Sequence, residues 1–353
     1  MIAAEADARQ TAALPDWQQQ LAAAVRDPLE LLALLDLSPQ DLGPGVTAEG
    51  LVAAARDFPL RVPPGFIARM RRGDPADPLL RQVLPIPDEL RVVAGFGTDP
   101  LDETTARDAP GLLQKYTGRA LLVTTGACAV HCRYCFRRHY DYAADQDEAQ
   151  PRWAGALARL AADPATEEVI LSGGDPLSLG NARLGALLAR LAQLPHLTRL
   201  RIHTRTPIVL PARVDAGLRA LLQDWADRLV IVVHANHPAE IDAPTATALR
   251  TLACHSTALL NQSVLLAGVN DDPGVLAELS RRLFAAGALP YYLHQLDRVA
   301  GAAHFAVDDA TALRLHARLI DTLPGYLVPR LVREVPGAAG KTPVHTVAAG
   351  QRS

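Results

Sequence analysis

Length, composition and charge set the first limits on this sequence of 353 residues, 49% of which are hydrophobic. A chain of this length can bury one large domain and carry smaller additions. Its formal net charge of −3 argues against a general nucleic-acid binder. The polar start, MIAAEADARQ, does not resemble a signal peptide, and no apolar run reaches the roughly 20 residues that cross a bilayer. We therefore expect a cytoplasmic protein with no nucleic-acid or membrane partner.

The first third of the chain, residues 1–115, is predicted to be a mainly helical N-terminal region. Its amphipathic runs are DWQQQLAAAV, PLELLALLDL and GFIARMRRG. Proline-rich joints such as RVPPG and PADP interrupt these runs, because proline ends or kinks a helix. We expect helical pieces joined by irregular chain.

The pattern becomes regular over residues 116–300, where short apolar runs alternate with helical stretches. The strand-like runs are ALLVTTGA, EEVILSGG, TRLRIHTR, RLVIVVHA, LLNQSVLL and LPYYLHQLD. Helical runs such as RWAGALARLAADP and DPGVLAELSRRLFAAG separate them, and this alternation predicts parallel strands with right-handed crossovers. The predicted fold class is therefore α/β, and six repeats rather than eight predict a partial (β/α)6 TIM-like barrel. Residues 301–353 are expected to form a short C-terminal segment.

Polar side chains gather where the predicted strands end. In barrel folds the chemistry lies at the carboxyl ends of the strands. A single polar strand end occurs as often without a function as with one, but six in succession indicate a functional rim. These ends carry, in chain order, the cysteine loop, Gly173–Asp175, His203–Arg205, His234 with His237, Asn261 with Gln262, and His294 with Asp297.

Three cysteines, Cys128, Cys132 and Cys135, form a CxxxCxxC loop directly after the first predicted strand. A structural zinc site needs four ligands, so His131 or His139 would have to serve as the fourth. A stable four-cysteine cluster needs another cysteine nearby. Three thiolates instead suit a 4Fe-4S cluster with one open iron, which S-adenosylmethionine can chelate before electron transfer releases a 5′-deoxyadenosyl radical. We expect this radical chemistry, with a zinc-stabilised binding module as the alternative.

The turn Gly173-Gly174-Asp175-Pro176 follows the second predicted strand. Two glycines let the backbone approach a ligand closely and leave its N–H and C=O groups accessible. Glycine turns between a strand and a helix are also ordinary connections. Beside the cysteine loop, we expect Gly173, Gly174 and Asp175 to hold the methionine end of S-adenosylmethionine.

The chain contains two lysines, Lys115 and Lys341, among its 35 basic residues. Lys341 lies in the small-residue stretch VPGAAGKTPV. A lysine in such a loop can form a Schiff base, as the lysines of pyridoxal phosphate enzymes do. A solvent-exposed lysine in a tail is the competing interpretation, and composition alone does not decide between them.

A set of motifs, taken together and in order, resembles the lysine 2,3-aminomutase family. The motifs are CAVHCRYCFRRHY, SGGDPL, LLNQSVLLAGVND, PYYLHQLDRVAGAAHF and VPGAAGKTPV. The sequence looks most similar to the short branch that prepares β-lysine for modification of elongation factor P. VPPGFIARM, DPLLRQVL, TDPLDE and PGLLQKY also resemble that branch, so the resemblance covers most of the chain. It implies a radical S-adenosylmethionine barrel whose cofactors are a 4Fe-4S cluster, S-adenosylmethionine and pyridoxal 5′-phosphate.

The resemblance also implies a role for each matching residue. Lys341 would hold pyridoxal phosphate covalently, and Arg137 would pair with the substrate carboxylate, for which a guanidinium fork is suited. Asp297 and Glu334 would receive the distal ammonium of the substrate. The remaining implied contacts are Lys115, Tyr116, Arg119 and Tyr291 with pyridoxal phosphate, Arg119 being on its phosphate, and His234 and Gln262 with S-adenosylmethionine.

Two positions depart from the pattern of the longer aminomutases. Glu334 stands where those enzymes have an aspartate, and His294 stands where they have a tyrosine. Only twelve residues follow Lys341, so their long C-terminal extension has no counterpart here. The longer acid changes the shape of the pocket, and these features fit the short branch.

The implied reaction is the conversion of L-lysine to β-lysine by migration of the amino group, so the resemblance implies an isomerase. We expect the R enantiomer, an external electron donor such as flavodoxin or ferredoxin, and a functional link to elongation factor P and its lysyl ligase. Two alternatives remain among enzymes. In the first, the substrate is another amino acid such as glutamate or ornithine; in the second, the enzyme acts on the lysine of folded elongation factor P rather than on the free amino acid.

Overall fold

The computed structural model describes residues 16–145 and 153–345, which form an α/β fold. The described chain contains twelve α-helices and ten strands. The helices are α1 Trp17–Ala22, α2 Pro28–Leu34, α3 Ala48–Asp57, α4 Pro64–Ile67, α5 Pro78–Arg81, α6 Ala154–Ala161, α7 Asn181–Leu191, α8 Thr206–Val209, α9 Ala216–Gln223, α10 Ala243–Ala253, α11 Pro273–Ala285 and α12 Asp309–Thr322. The strands are β1 Arg107–Ala109, β2 Leu112–Tyr116, β3 Arg119–Thr125, β4 Glu168–Gly173, β5 Arg199–Thr204, β6 Leu229–Val233, β7 Ala258–Val264, β8 Leu289–His294, β9 Arg330–Arg333 and β10 Thr342–Pro343.

The strands form one sheet in which spatial order follows chain order from β1 to β10. Neighbouring strands from β3 to β9 pair in parallel, whereas β1, β2 and β10 pair antiparallel with their neighbours. The six predicted strands correspond to β3–β8 and are confirmed. Four further strands, β1, β2, β9 and β10, were not predicted, because each has five residues or fewer and lacks a long apolar run.

Helices cover one face of the parallel strands and bury it in the largest hydrophobic core. Helix α7 supplies Leu184, Leu187, Leu188 and Leu191, whose three- and four-residue spacing places them on one side. Several helices begin at an aspartate that caps the first turn and is followed by proline, which lacks the N–H that would be unsatisfied there. In α11, for example, Asp272 accepts a hydrogen bond from the Val275 N–H at 2.9 Å and precedes Pro273.

The N-terminal region packs against the loop that carries the cysteines. Its own core contains α1–α5, and Ala129 and Val130 of the cysteine loop belong to the same buried cluster. Val209 and Leu210, at the end of α8, complete that cluster. The cysteine loop therefore lies between the sheet and the N-terminal helices. The proposed boundary at residue 115 falls inside β2.

The C-terminal segment adds structure to the end of the sheet. Helix α12 packs against α11 and β9, and Leu315, Leu319 and Leu331 are buried in their shared core. The short strand β10 then returns antiparallel to β9 and begins directly after Lys341. Within the two described ranges, no helix is long and apolar enough to cross a membrane.

Candidate active site

A cavity of about 430 Å³ lies at the carboxyl ends of the parallel strands. Strands β2–β5, β7 and β8 and the loops that follow β3, β4, β5, β6, β8 and β9 contribute side chains to its wall. Every residue to which the sequence assigned a contact with the cluster, a cofactor or the substrate lines this one cavity. These residues are Lys115, Tyr116, Arg119, Cys128, Cys132, Cys135, Arg137, Gly173, Gly174, Asp175, His234, Gln262, Tyr291, Asp297, Glu334 and Lys341.

The three cysteine side chains lie together at the wall of the cavity. Burial raises the pKa of Cys128 well above its ordinary value and that of Cys135 to about 11, and the neighbouring thiols add to both shifts. Among the described residues, no three His, Cys, Asp or Glu side chains are placed to share a single metal ion. The thiolates of a cluster each bind a different iron, so they stand further apart than the ligands of one ion. The donor set and its grouping fit a cluster held by three thiolates.

The two histidines considered as further zinc ligands are turned away from the thiols. His131 stacks on Phe58 and its Nδ1 lies 2.8 Å from the carbonyl oxygen of Pro59. His139 Nε2 lies 3.1 Å from the carbonyl oxygen of Ala300. Neither histidine lines the cavity. The structure therefore does not bring a fourth ligand of the predicted kind to the cysteine loop.

The cysteine loop is fixed by two buried arginines that flank Cys135. Arg133 donates to the carboxylate of Glu89 through Nε at 2.9 Å and Nη2 at 2.5 Å. Arg138 Nη2 lies 2.9 Å from the same carboxylate. All three side chains have no exposed surface. The Glu89 carboxylate, which belongs to the N-terminal region, thus pairs with two positive charges of the loop that carries the thiols.

The glycines after β4 allow close contact between two backbone segments. Gly173 has φ of +109°, and a Cβ on Gly174 would lie 2.5 Å from the carbonyl oxygen of Ala127. The N–H groups of Gly174 and Asp175 donate to the carbonyls of Thr125 and Ala127 at 2.6 and 2.8 Å. Gly174 and Asp175 therefore anchor the segment that leads to Cys128. The close approach of Ala127 is a structural reason for glycine at position 174, in addition to the predicted contact with a ligand.

Asp175 joins the ends of β4 and β5. Its Oδ1 accepts hydrogen bonds from the Thr204 hydroxyl at 2.7 Å and the Leu177 N–H at 3.0 Å. Its Oδ2 accepts from the N–H groups of Arg205 and Thr206 at 2.7 and 2.9 Å. Because both carboxylate oxygens accept hydrogen bonds from the protein, Asp175 fixes the ends of β4 and β5 relative to each other at the rim of the cavity.

Arg137 lines the cavity and is held by three acceptors. Its Nε and Nη2 donate to Glu103 at 2.7 and 2.8 Å, and its Nη1 donates to Ser172 Oγ at 3.0 Å and to the carbonyl of Gly173 at 3.3 Å. Lys115 Nζ lies 3.5 Å from Glu103 and donates to the carbonyl of Leu101 at 3.1 Å. Two cations and one carboxylate therefore meet in this part of the cavity wall.

Lys341 lies in another part of the cavity wall, beside two carboxylates. Its ammonium contacts Glu334 Oε2, and Glu334 Oε1 accepts a hydrogen bond from the Tyr116 hydroxyl at 2.6 Å. Burial lowers the pKa of Lys341 to about 8, against the opposing effect of Asp297. Burial also raises the pKa of Asp297 to about 6. This part of the wall therefore contains acceptors for an ammonium and a lysine that deprotonates readily.

Aromatic and imidazole groups also line the cavity. Arg119 lies over the ring of Tyr116 at 4.7 Å, and the Tyr291 hydroxyl donates to that of Tyr292 at 2.9 Å. His294 is buried and His203 and His234 are half-buried, and the Nε2 atoms of all three are buried without a hydrogen-bond partner. Burial lowers the pKa of each histidine, that of His234 to about 4, so these rings are neutral near pH 7.

Comparisons with known proteins identify the family. Residues 117–201 match the family described as a 4Fe-4S single cluster domain. L-lysine 2,3-aminomutase of Escherichia coli K12 is 48% identical over 93% of this chain and 94% of that protein. The proteins of the same name from Haemophilus influenzae and Clostridium subterminale are 45% and 33% identical, each over 93% of this chain, and the matches cover 95% and 77% of those proteins. The chain belongs to the lysine 2,3-aminomutase family. It is an isomerase of the aminomutase type.

Membership of the aminomutase family confirms the resemblance seen in the motifs and supports the predicted 4Fe-4S cluster. Two charged residues near the site, Glu103 and Glu89, were not predicted, and Arg205 was predicted as part of the rim but without its contacts. Arg205 Nη1 lies 2.8 Å from the sulfur of Cys132, and its Nη2 donates to Gln82 and Glu240 at 2.7 and 3.0 Å. Only the fold reveals these contacts, since each joins residues more than 30 positions apart.

Two rim residues of the aminomutase are not part of the cavity wall. Asn261 accepts a hydrogen bond from the Ala235 N–H at 2.8 Å and donates to Ser263 at 2.9 Å. His237 Nδ1 accepts from the Ala239 N–H at 3.1 Å and caps a short turn. Both connect strand ends to the following loops, which is the ordinary reason for polar residues at such positions.

Proposed function

We propose that this aminomutase converts free L-lysine to β-lysine, with pyridoxal 5′-phosphate on Lys341 and S-adenosylmethionine at the open iron of the cluster. The further proposals are an R product, its use for elongation factor P by a separate ligase, and electrons from a flavodoxin or ferredoxin. We place the reaction in the cytoplasm, where reducing conditions keep thiols available. The names of the relatives support the substrate.

The observation that carries the proposal is the distribution of charge in the cavity. The cavity wall carries Arg137 and Lys115 as one group of cations and Asp297 and Glu334 as a group of carboxylates. Lysine carries a carboxylate and an ammonium, so the cavity offers a group of opposite charge for each of them. Glutamate would place a carboxylate beside Asp297 and Glu334, and like charges at close range are unfavourable.

The residues of the chain have separate tasks in this mechanism. When bound, the cluster and S-adenosylmethionine would supply the radical, and pyridoxal phosphate would supply the carbonyl carbon to which the migrating nitrogen is attached. Lys341 acts as a neutral amine, and Glu334 Oε2 is placed to take the proton from its Nζ. Arg137 binds the substrate carboxylate and Asp297 its distal ammonium. The neutral histidines border the cavity without adding charge, and the surrounding wall keeps water from the reacting atoms.

We also propose that the parallel strands curve into a partial barrel. Side chains from β2 and β3 and from the loop after β9 line one cavity, although six strand pairings separate β3 from β9. Tyr116 of β2 forms a hydrogen bond with Glu334, which follows β9. A flat sheet would hold these ends far apart, so their contact supports curvature.

The first experiment tests the cofactor. Protein loaded with pyridoxal phosphate is treated with borohydride, which fixes a Schiff base to its lysine, and digested for peptide mass mapping. Because the chain has two lysines, the label falls on Lys115 or Lys341. We expect it on Lys341 and expect Lys341→Arg to abolish it, with Lys115→Arg as the matched control. A label on Lys115 alone would overturn the assignment.

The second experiment tests the reaction and substrate. Reconstituted protein is incubated without oxygen with S-adenosylmethionine, pyridoxal phosphate, a strong reductant and L-lysine, L-ornithine or L-glutamate in turn. We expect β-lysine as the main product, resolved by chiral chromatography, with about four iron and four sulfide per chain. Rearrangement of ornithine or glutamate in preference to lysine would refute the substrate. Turnover only of lysine carried by elongation factor P would refute the free amino acid.

A further inference from the structure

A buried carboxylate beside the cations of the cavity wall, Glu103, has no role in the proposal above. It reaches the site from the loop before β1, where its N–H donates to Asp99 Oδ1 at 2.9 Å. Glu103 is 4% exposed and lines the cavity between Arg137 and Lys115. Glu103 thus contacts the same cation, Arg137, that is proposed to bind the carboxylate of the substrate.

The hydrogen bonds of Arg137 limit how it can bind a second carboxylate. A guanidinium has five N–H groups. Nε and one N–H of Nη2 donate to Glu103, and Nη1 donates to Ser172 and Gly173. One N–H of Nη2 therefore remains, so a two-point grip on the substrate is not available while Glu103 stays in place.

The charges of Arg137, Lys115 and Glu103 also favour the binding of one further carboxylate. Burial raises the pKa of Glu103, but Arg137 and Lys115 outweigh it and the net shift is downward, so Glu103 is ionised near pH 7. The three side chains in direct contact, Arg137, Lys115 and Glu103, together carry a single net positive charge. That charge matches one carboxylate, and the buried anion fixes where both cations stand.

We propose that Glu103 is a positioning and specificity-determining residue, which orients Arg137 and Lys115 so that one remaining positive charge and one N–H receive the α-carboxylate of the substrate. This inference rests on the proposed binding of a carboxylate by Arg137. Without Glu103, buried Arg137 and half-buried Lys115 lose the carboxylate that both contact, and the substrate carboxylate moves toward the vacated position. Binding then becomes tighter, while the carbon chain shifts away from its reactive placement.

The test separates binding from turnover. Dissociation constants of L-lysine and L-lysinamide, which lacks the carboxylate, are measured by absorbance on protein loaded with pyridoxal phosphate, without S-adenosylmethionine or reductant. In Glu103→Gln we expect the preference for lysine over lysinamide to rise about tenfold, the size of one charged hydrogen bond. We expect kcat to fall about tenfold or more, because the substrate is misplaced.

Two further variants complete the design. Glu103→Asp keeps the charge, and we expect it to keep the wild-type preference and more of the kcat. Glu278→Gln removes the carboxylate of an exposed pair with Arg282 at 2.8 Å and should match wild type in both measurements. An unchanged preference in Glu103→Gln, or an Asp variant that behaves like the Gln variant, would overturn the role of Glu103. Absence of β-lysine from the wild type would instead overturn the proposed function, since the binding preference is measured without turnover.

Discussion

A single substitution at Glu89 should destabilise the cysteine loop, because its carboxylate pairs with two arginines of that loop. Glu89 lies in the short turn Pro87–Leu90 and accepts hydrogen bonds from Arg133, while Arg138 lies 2.9 Å away. The side chains of both arginines have no exposed surface. Among the described residues, the only other carboxylate that pairs with Arg138 is that of Asp57, whose side chain is 44% exposed. Glu89→Gln keeps the shape of the side chain and removes its charge.

The expected cost follows from the burial of this cluster. Removing one partner of a buried ion pair costs about 3–5 kcal/mol, because the opposite charge is left without compensation. Here two guanidinium groups lose their shared anion, so we place the loss of unfolding free energy in that range. Total stability of a folded protein is about 5–15 kcal/mol, so the variant should fold but with a reduced margin. Because Arg133 and Arg138 flank Cys135, the cluster should also be released more easily.

The assay compares Glu89→Gln with wild type and with Glu278→Gln, which disrupts an exposed pair. Urea unfolding of the apoprotein gives the free energy, and the rate at which a chelator removes iron from the loaded protein reports on the loop. For the exposed control we expect a change within about 0.5 kcal/mol and wild-type iron loss. A Glu89→Gln protein that matches this control in both measurements would show that the buried cluster does not hold the loop.

Three further predictions concern the cavity. Because Lys341 has a pKa of about 8, covalent attachment of pyridoxal phosphate to apoprotein should accelerate with pH with a midpoint near 8, followed by absorbance; a midpoint near 10.5 would contradict this. The pKa of Asp297 is raised from 3.8 to about 6, so wild-type stability falls as pH rises through this window. Asp297→Asn should therefore be more stable by about 3 kcal/mol in urea unfolding at neutral pH, and a gain that stays undiminished down to pH 3.8 would refute the cause. Gly174→Ala should lose about 1–3 kcal/mol, because its Cβ would lie 2.5 Å from the Ala127 oxygen, whereas Gly155→Ala in α6, with nothing within 4 Å, should not lose stability in the same assay.

The sequence predicts the parts of the fold that have strong local signals. Strands β3–β8 carry apolar runs long enough to be recognised, and the helices between them show a clear period. Strand β9, with four residues, and β10, with two, depend on pairing with a preceding strand. No property of their own residues separates them from a loop, so they emerge only in the folded chain.

The site was predictable to the extent that its residues belong to motifs. The cysteines and Lys341 follow from spacing and from the resemblance, and they line the same cavity. Glu103 lies in TDPLDE, a motif that supported the resemblance but assigned no role to this residue, and Glu89 lies in a stretch without a motif. An acidic residue in an irregular segment is usually solvated, so neither position indicated a buried contact. Their importance comes from burial beside Arg137 and Arg133, a tertiary property that spacing does not encode.

The hydrogen bond between Tyr116 and Glu334 has a consequence for access to the cavity. The strands that carry or precede these residues, β2 and β9, pair with other strands and not with each other within the described chain. The junction between them is therefore made by side chains beside Lys341, next to a smaller recess of about 150 Å³. Separating side chains at this junction breaks no bond of the sheet. The proposed cofactor, pyridoxal phosphate, would then reach Lys341 through this junction while the strands remain paired.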